Sequence, residues 1–392
     1  MTSNSDYLSR LLKRLRSFRQ QAGLSPTKVE KQLIVGPGWV EAVEAGEIHP
    51  SLDFVASMLS VYGKTLTDLA TGATGTVPKI ARTVTAEAAG TDLDIHFEYS
   101  QYDATYRLTN ATVKQFSEVV LTLRDGLARL SGQHLSTQQE KSIKTESVAK
   151  AFHKALKTWP HANPSDLWWF LVYRAYCDQY NHPSEHSRLD FSQSWKRTGG
   201  WALERVLERQ YASALAKHGI KLFIADKEKT NSLLQDVKVA NHRIEADKID
   251  VLLTVESGGK ERLIGVIHVK SSFAERRTDD VPMSHALVQA GYISPLWTMD
   301  CKSTPSVKPV NRGELGKVFD GTGSDQRSAK RKDIEDDGFF SACFSYNKNT
   351  KPTPTAYAAK ARIVVCDFSD PDDEFTRFIV QERKRIKKEL GV

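Results

Sequence analysis

The stretch Ile244–Lys270, IEADKIDVLLTVESGGKERLIGVIHVK, decides the fold. Ile249–Val255 and Leu263–Lys270 are rich in β-branched residues and flank a Ser-Gly-Gly turn, a pattern that predicts a β-hairpin. Asp250 opens one strand and Lys270 ends the other. Side chains alternate between faces with period two, so the length of the connection decides whether this acid and this amine meet. A three-residue loop, Gly258-Gly259-Lys260, sets Asp250 opposite His268, with Lys270 next on that face. A two-residue Gly-Gly turn sends them to opposite faces unless a bulge intervenes.

Upstream of the hairpin lies WKRTGGWALERVLERQYASAL, Trp195 to Leu215. Here Gly199-Gly200 are expected to precede a helix with the apolar stripe Leu203, Val206, Leu207, Tyr211 and Ala214. Glu204 sits at the edge of that stripe, so its carboxylate is expected to point towards whatever the helix packs on, whereas Glu208 lies further round to the solvent side. Downstream, SSFAERRTDDVPMSHALVQAGYISPLWTMD reads as a charged loop or helix, the helix SHALVQAG and the strand YISPLWTMD. FSACFSYNKN and ARIVVCDFS read as further strands of the same sheet. The expected fold is therefore α+β (α/β), a mixed sheet flanked by helices.

Phosphodiester hydrolysis calls for this set of side chains. Carboxylates hold a divalent cation that polarises the phosphoryl oxygens and lowers the pKa of a bound water. An ammonium beside them stabilises charge on the phosphate. Mg²⁺ prefers oxygen ligands and keeps several waters, so two protein carboxylates suffice. In the charged run, Glu275, Arg276, Arg277 and Asp279 have the chemistry of a G·C contact: Arg forks onto guanine and an acid accepts from cytosine N4. The alternative is a self-neutralising solvated cluster. Asp247 precedes the strand by a turn and is read as solvated, and His268 as structural.

The first ~70 residues read as a run of short helices broken by glycines. Leu8, Leu11, Leu12, Leu15 and Phe18 recur at helical spacing, Ser25-Pro26 opens a second helix, Gly38–Ala45 forms a third, and Ser51 caps a fourth. Gly72–Val77 is a linker by composition. Leu93–Tyr99 and Thr105–Leu108 suggest a small hairpin, followed by a helix from Val113 to Leu130. SDLWWFLVYRAY is aromatic on nearly every face, which predicts packing, not base stacking, for Trp168-Trp169. The segment Gly321–Gly338, GTGSDQRSAKRKDIEDDG, is expected to be mobile, and the basic last helix, FTRFIVQERKRIKKEL, a solvated amphipathic terminus. The resulting division is 1–72, 78–135 and 140–392, a helical module, a small accessory piece and the catalytic part.

Composition bounds the rest. At 392 residues, 40% apolar and 26% charged, the chain is long enough for two or three cores. No apolar run approaches the ~18–20 residues that span a bilayer, and the first residues lack the apolar core of an export signal, so no membrane association and a cytoplasmic location are expected. The four cysteines lie far apart, without zinc-site spacing. A formal charge of +7 suits a polyanionic partner without identifying it.

Two resemblances sharpen this reading. VEAVEAGEIHPSLDFVASMLSVYGKTLTDL, with Glu44, Gly46 and Pro50, resembles the second half of a Cro-repressor-type (XRE) helix-turn-helix. In that family the third helix enters the major groove. Here that helix carries Glu41 and Glu44, so dimerisation or scaffolding competes with DNA reading. The helix Glu, strand Asp, hairpin and terminal Lys-Ser resemble the PD-(D/E)XK nucleases. The strings HVKSSFAERRTDDVPMSHAL and SWKRTGGWALERV are similar to the BsaWI-type restriction endonucleases, of the group that cuts at sites containing CCGG. The likeness covers roughly Thr145 to Cys366.

This resemblance implies a Mg²⁺-dependent type II restriction endonuclease acting on double-stranded DNA as a homodimer, paired with a cognate methyltransferase. Asp250 would be a metal ligand, Lys270 the catalytic lysine, Glu204 a second acidic group, and Glu275, Arg276 and Arg277 part of the segment that reads the central G·C pairs, with Asp279 among them. Two departures matter. His268 stands where the superfamily has an acid, and Ser284 stands where the CCGG group places its displaced carboxylate. Asp280, four residues earlier, is expected to supply that ligand, with Glu275 and Asp279 competing. Two rivals stand beside this reading: a DNA-binding regulator with a silent nuclease domain, which shifts a gel band but never cuts, and a nuclease that responds to modified cytosine.

Overall fold

The computed structural model describes residues 4–70, 84–99, 102–131, 135–178, 181–183, 191–235, 237, 239, 244–273, 277–304, 307–319, 321 and 324–390. Five short helices open the chain: α1 (Asn4–Gln21), α2 (Pro26–Leu33), α3 (Trp39–Ala45), α4 (Leu52–Val61) and α5 (Leu66–Ala70). Ser25 and Ser51 cap α2 and α4 by accepting from the backbone N–H three residues on. These helices enclose a core of their own, built on Leu15, Val29, Val40, Val43 and Leu59. Glu44, on α3, turns inward and accepts two bonds from the Arg19 guanidinium at 2.7 and 2.8 Å, so it belongs to the packing of the module. Glu41 is exposed. The linker expected at Gly72–Val77 lies outside the described residues.

Beyond it, β1 (Val84–Ala89), β2 (Asp92–Tyr99) and β3 (Tyr102–Leu108) form an antiparallel sheet, so the expected hairpin has a third strand. VTAEAA escaped the sequence reading because its alanines carry little β-propensity. Helix α6 (Val113–Ala128) and α7 (Thr137–Thr158) each start with a capping box. There follow α8 (Pro164–Asp166), a π-helical stretch Leu167–Val172 and α9 (Tyr173–Cys177). Trp168 is fully buried, as packing requires. Residues of β1–β3 and α6 share one apolar core with α7 and the π-helical stretch, where the Tyr106 ring stacks on Phe170 at 5.2 Å.

The six-stranded sheet has the order β4 (Ile220–Ile224), β5 (Val251–Ser257), β6 (Lys260–Lys270), β7 (Leu296–Thr298), β8 (Cys343–Ser345), β9 (Ile363–Val365). The first three strands run antiparallel and the pairs from β6 onward are parallel. Around it lie α10 (Phe191–Ala216), α11 (Lys227–Leu234), α12 (Arg277–Gln289), α13 (Ala329–Glu335) and α14 (Glu374–Leu390). Among the described residues no helix is long and apolar enough to cross a membrane.

Two expectations are corrected here. Helix α10 does not start after Gly199-Gly200 but runs through them. A Cβ on Gly199 would lie 3.0 Å from the Tyr173 ring, so the missing side chain serves close packing and not a helix start. Nor are the described residues of 321–338 a loose insertion. Arg331 is wholly buried there and bonds Glu335 and the carbonyls of Leu315 and Lys351, while Arg327 grips Asp325, Glu335 and Asp336. Its charges form an ion network around the buried Arg331 and Glu335.

Candidate active site

The hairpin resolves the question of register. Ser257 pairs with Lys260, so the turn is the two-residue Gly258-Gly259, both with positive φ (59° and 74°). That turn alone would send Asp250 and Lys270 to opposite faces. The pairing then shifts: Thr254 faces Leu263, but Leu253 faces Gly265, leaving Ile264 as one extra residue on β6. The bulge restores the favourable face. It comes with a close approach, because a Cβ on Gly265 would fall 2.3 Å from the Ile293 carbonyl oxygen, where the chain leading into β7 runs alongside.

As a result the Lys270 Nζ donates to Asp250 Oδ2 at 2.7 Å. The same oxygen accepts the Val269 backbone N–H at 2.8 Å, which fixes the carboxylate between the strands. Both side chains keep a little contact with solvent, at 11% and 13% exposure. A second carboxylate arrives from the first turn of α12, where Asp280 Oδ2 lies 3.4 Å from the Lys270 ammonium. A helix N-terminus favours an anion there.

His268, on the same face of β6, is fully buried. Its Nε2 is bonded to Ser294 Oγ at 3.1 Å, and its Nδ1 lies 3.9 Å from Asp280. Burial, with Lys270 nearby, pushes its pKa down to about 3, so it sits in the site as a neutral ring. Ser284, one turn after Asp280, is also buried and is bonded to Ser294 Oγ at 2.8 Å. The position where the CCGG group carries its acid is thus part of a neutral hydroxyl–imidazole floor, and Asp280 is the helix carboxylate that reaches the ammonium.

Of the residues singled out in the sequence, the structure brings Asp250, Lys270 and Asp280 together. Glu204 is half-buried on α10, a helix that packs against β4 and β6. Glu275 and Arg276 lie outside the described residues; Arg277 and Asp279 fall in the first turn of α12, with side chains that are likewise not described. Asp247 is exposed on a 3₁₀ turn, in keeping with a solvated acid. Sequence reasoning assigned no part to Ser284 or Ser294, because a hydroxyl pair under a histidine has no spacing signature.

The donor set suits a hard cation. Two carboxylates flank one amine, and among the described residues no group of three or more His, Cys, Asp or Glu side chains forms a cage. Two protein oxygens with the remaining positions left to water and phosphate is the usual provision for Mg²⁺.

A mixed sheet whose adjacent strands bring an acid and a lysine to one edge defines a PD-(D/E)XK-type nuclease. Comparison with known proteins agrees. Residues 10–71 match a helix-turn-helix domain, and residues 211–368 match the BsaWI restriction endonuclease type 2 family. The type II restriction enzyme AgeI of Thalassovita gelatinovora is 40% identical over 245 residues, covering 60% of this chain and 84% of that enzyme. The crystal structure of the specific AgeI–DNA complex superposes with a TM-score of 0.61 at 33% identity, over 76% of this chain and 99% of that one. The pre-specific BsaWI–DNA complex is a far looser match, with a TM-score of 0.35 at 16% identity over 69% and 93% of the two chains. The chain belongs to the family of type II restriction endonucleases that includes AgeI, and is as such a site-specific deoxyribonuclease.

Proposed function

We propose that this enzyme makes a Mg²⁺-dependent cut in both strands of DNA at a palindromic site containing CCGG, working as a homodimer in the cytoplasm beside a cognate methyltransferase. The observation that carries the reading is the convergence of Asp250, Asp280 and Lys270. In it Asp250 and Asp280 hold the cation. When bound, that cation polarises the scissile phosphate and acidifies a water. Lys270, beside the two carboxylates that would hold the cation, would supply an ammonium to the phosphate oxygens and orient the nucleophile. Glu204, on α10, is proposed as a further acidic group. His268, a neutral ring 3.9 Å from Asp280, lines the cluster without adding charge. The cut leaves 5′-phosphate and 3′-hydroxyl ends.

Glu275, Arg276, Arg277 and Asp279, in the stretch of sequence between Lys270 and Asp280, are proposed to read the central G·C pairs. Two-fold symmetry of the dimer matches a palindrome, with one cluster for each strand. The division at 1–72, 78–135 and 140–392 goes with this reading, with the middle piece folding onto the third through their common core.

The experiment is a Mg²⁺-supplemented digest of a genome of known sequence, with sequencing of the fragment ends. The expected result is one palindromic site centred on CCGG with 5′-phosphate ends. Fragments with no common site, or no fragments at all, would overturn the proposal.

A further inference from the structure

Trp168 and Trp169 lie in the π-helical stretch Leu167–Val172 and aim their indole N–H groups at one edge of the large sheet. Trp168 Nε1 donates to Ser271 Oγ at 3.0 Å, and Trp169 Nε1 to Ser303 Oγ at 2.6 Å. Ser271 follows Lys270 directly, and Ser303 lies in the segment after β7. Both acceptors therefore sit beyond the C-terminal ends of neighbouring parallel strands, the edge where Asp250, Lys270 and Asp280 meet. The residues just before the tryptophans act on the same edge. Ser165 Oγ is bonded to Cys301 Sγ at 3.3 Å, and Asn311 Nδ2 donates to Ser165 Oγ and Asp166 Oδ1, each at 2.8 Å.

We propose that Trp168 is a positioning residue for Lys270, acting through Ser271; the inference rests on the reading of Lys270 as the catalytic lysine. After Lys270 the chain leaves β6, and a side chain at a strand end is free to swing unless the following backbone is fixed. Three bonds fix it. The Met299 N–H donates to the Lys270 carbonyl at 3.1 Å, the Cys301 N–H donates to the Ser271 carbonyl at 3.0 Å, and the indole N–H holds the Ser271 side chain. The indole is the rigid member of this set. Its ring is wholly buried, edge-on to Phe152 at 5.4 Å and stacked near Tyr173 at 5.9 Å, so the donor cannot follow the loop if the loop moves. A π-helical turn places consecutive side chains closer to one face than an α-helix does, and such turns recur at functional sites. Here it lets two adjacent tryptophans reach two neighbouring loops.

A tryptophan that served packing alone would lose stability on truncation and leave the chemical step untouched. The proposal calls for the reverse. In single-turnover cleavage of a specific duplex with Mg²⁺, Trp168→Phe, which keeps an aromatic ring and removes the donor, is expected to lower kcat about tenfold, the effect of one lost hydrogen bond expressed at the transition state. Ser271→Ala, at a half-buried position, should give the same loss, and the double variant about tenfold rather than a hundredfold. KM should stay within about twofold, Tm should shift by only a few degrees, and Ser271→Thr, which keeps the hydroxyl, should cut as the wild type does. Wild-type kcat in Trp168→Phe and Ser271→Ala, losses that multiply in the double variant, or a loss in Tm alone would overturn the inference. Lys270→Ala separates the two levels. If it is dead while Trp168→Phe is fully active, the positioning role alone falls; if it cuts normally, the site assignment falls and the inference with it.

Discussion

The Lys270 cluster and the Arg327–Arg331 cluster are built from the same kinds of side chain and do opposite things with them. Around Arg327 and Arg331, three cations (with Lys332) face three acids, Asp325, Glu335 and Asp336. Every guanidinium edge is matched to a carboxylate or a carbonyl, and Thr353 and Tyr357 donate to the acids as well. Around Lys270 one amine stands between two carboxylates, and the nearby histidine is neutral. The first arrangement is closed and contributes rigidity. The second gathers two carboxylates about one amine and is suited to a divalent cation and a phosphate. The pattern of pairing, more than burial, distinguishes the two clusters.

The largest expected effect breaks the open cluster. Lys270→Ala should reduce single-turnover cleavage by about 10²–10³-fold, the usual consequence of removing one group that stabilises transition-state charge. The melting temperature should fall as well, because Asp250 and Asp280 lose the cation they share, so a thermal scan beside the cleavage assay checks that the variant is folded at the assay temperature. The mirror experiment breaks the closed cluster. Arg331→Ala takes from buried Glu335 one of its two guanidinium partners and leaves the Leu315 and Lys351 carbonyls without their donor, and should cost about 1–3 kcal/mol of stability in urea unfolding. Cleavage by the fraction that remains folded should be unaltered. If Arg331→Ala altered the cleavage rate of folded enzyme while stability held, the contrast between the clusters would fail.

Two smaller predictions sharpen the comparison. In the N-terminal module Arg19→Ala leaves Glu44, only 4% exposed, without its bidentate partner. About 1–3 kcal/mol should be lost, the penalty of an unsatisfied buried polar group, with faster hydrogen exchange confined to the first five helices because they own a separate core. The last concerns pH. Burial pushes the Asp166 carboxyl up to about 7, against bonds from Asn311 and Asn163 that pull it down. An unfolded Asp titrates near ~3.9, so between about pH 4 and 7 the folded chain holds a proton that the unfolded chain has released. Stability contributed by this group is present in full below pH 4 and declines as pH rises through 7. Asp166→Asn, which cannot ionise, should flatten that part of the Tm–pH curve; an unchanged slope would show that Asp166 does not carry it.

The hairpin was legible because it has a local signature, β-branched runs about a Gly-Gly turn, whereas Asp280 was singled out only through the likeness to the CCGG group, four residues before the position where that group carries its acid. What allowed Asp250 and Lys270 to meet was not legible. Both a three-residue loop and a bulged two-residue turn fit the sequence, and the bulge at Ile264 occurs where Ile293, distant in sequence, approaches Gly265. The same holds for Gly199, read as a helix start and used for packing, and for residues 324–338, whose charges find partners far along the chain at Leu315, Lys351 and Tyr357. Period and propensity are properties of a window of sequence; these outcomes depend on contacts between windows. The likeness to restriction enzymes supplied the role of the cluster, which spacing alone left open.

The most direct test is a Mg²⁺ titration of duplex cleavage by Asp280→Asn, with Ser284→Ala as its control. Asp280→Asn is expected to cut at least about 10²-fold more slowly and to need more Mg²⁺, since it removes one of two carboxylate ligands, while Ser284→Ala stays within a few-fold of the wild type. Wild-type rate and metal dependence in Asp280→Asn would contradict the assignment of this helix carboxylate to the catalytic centre.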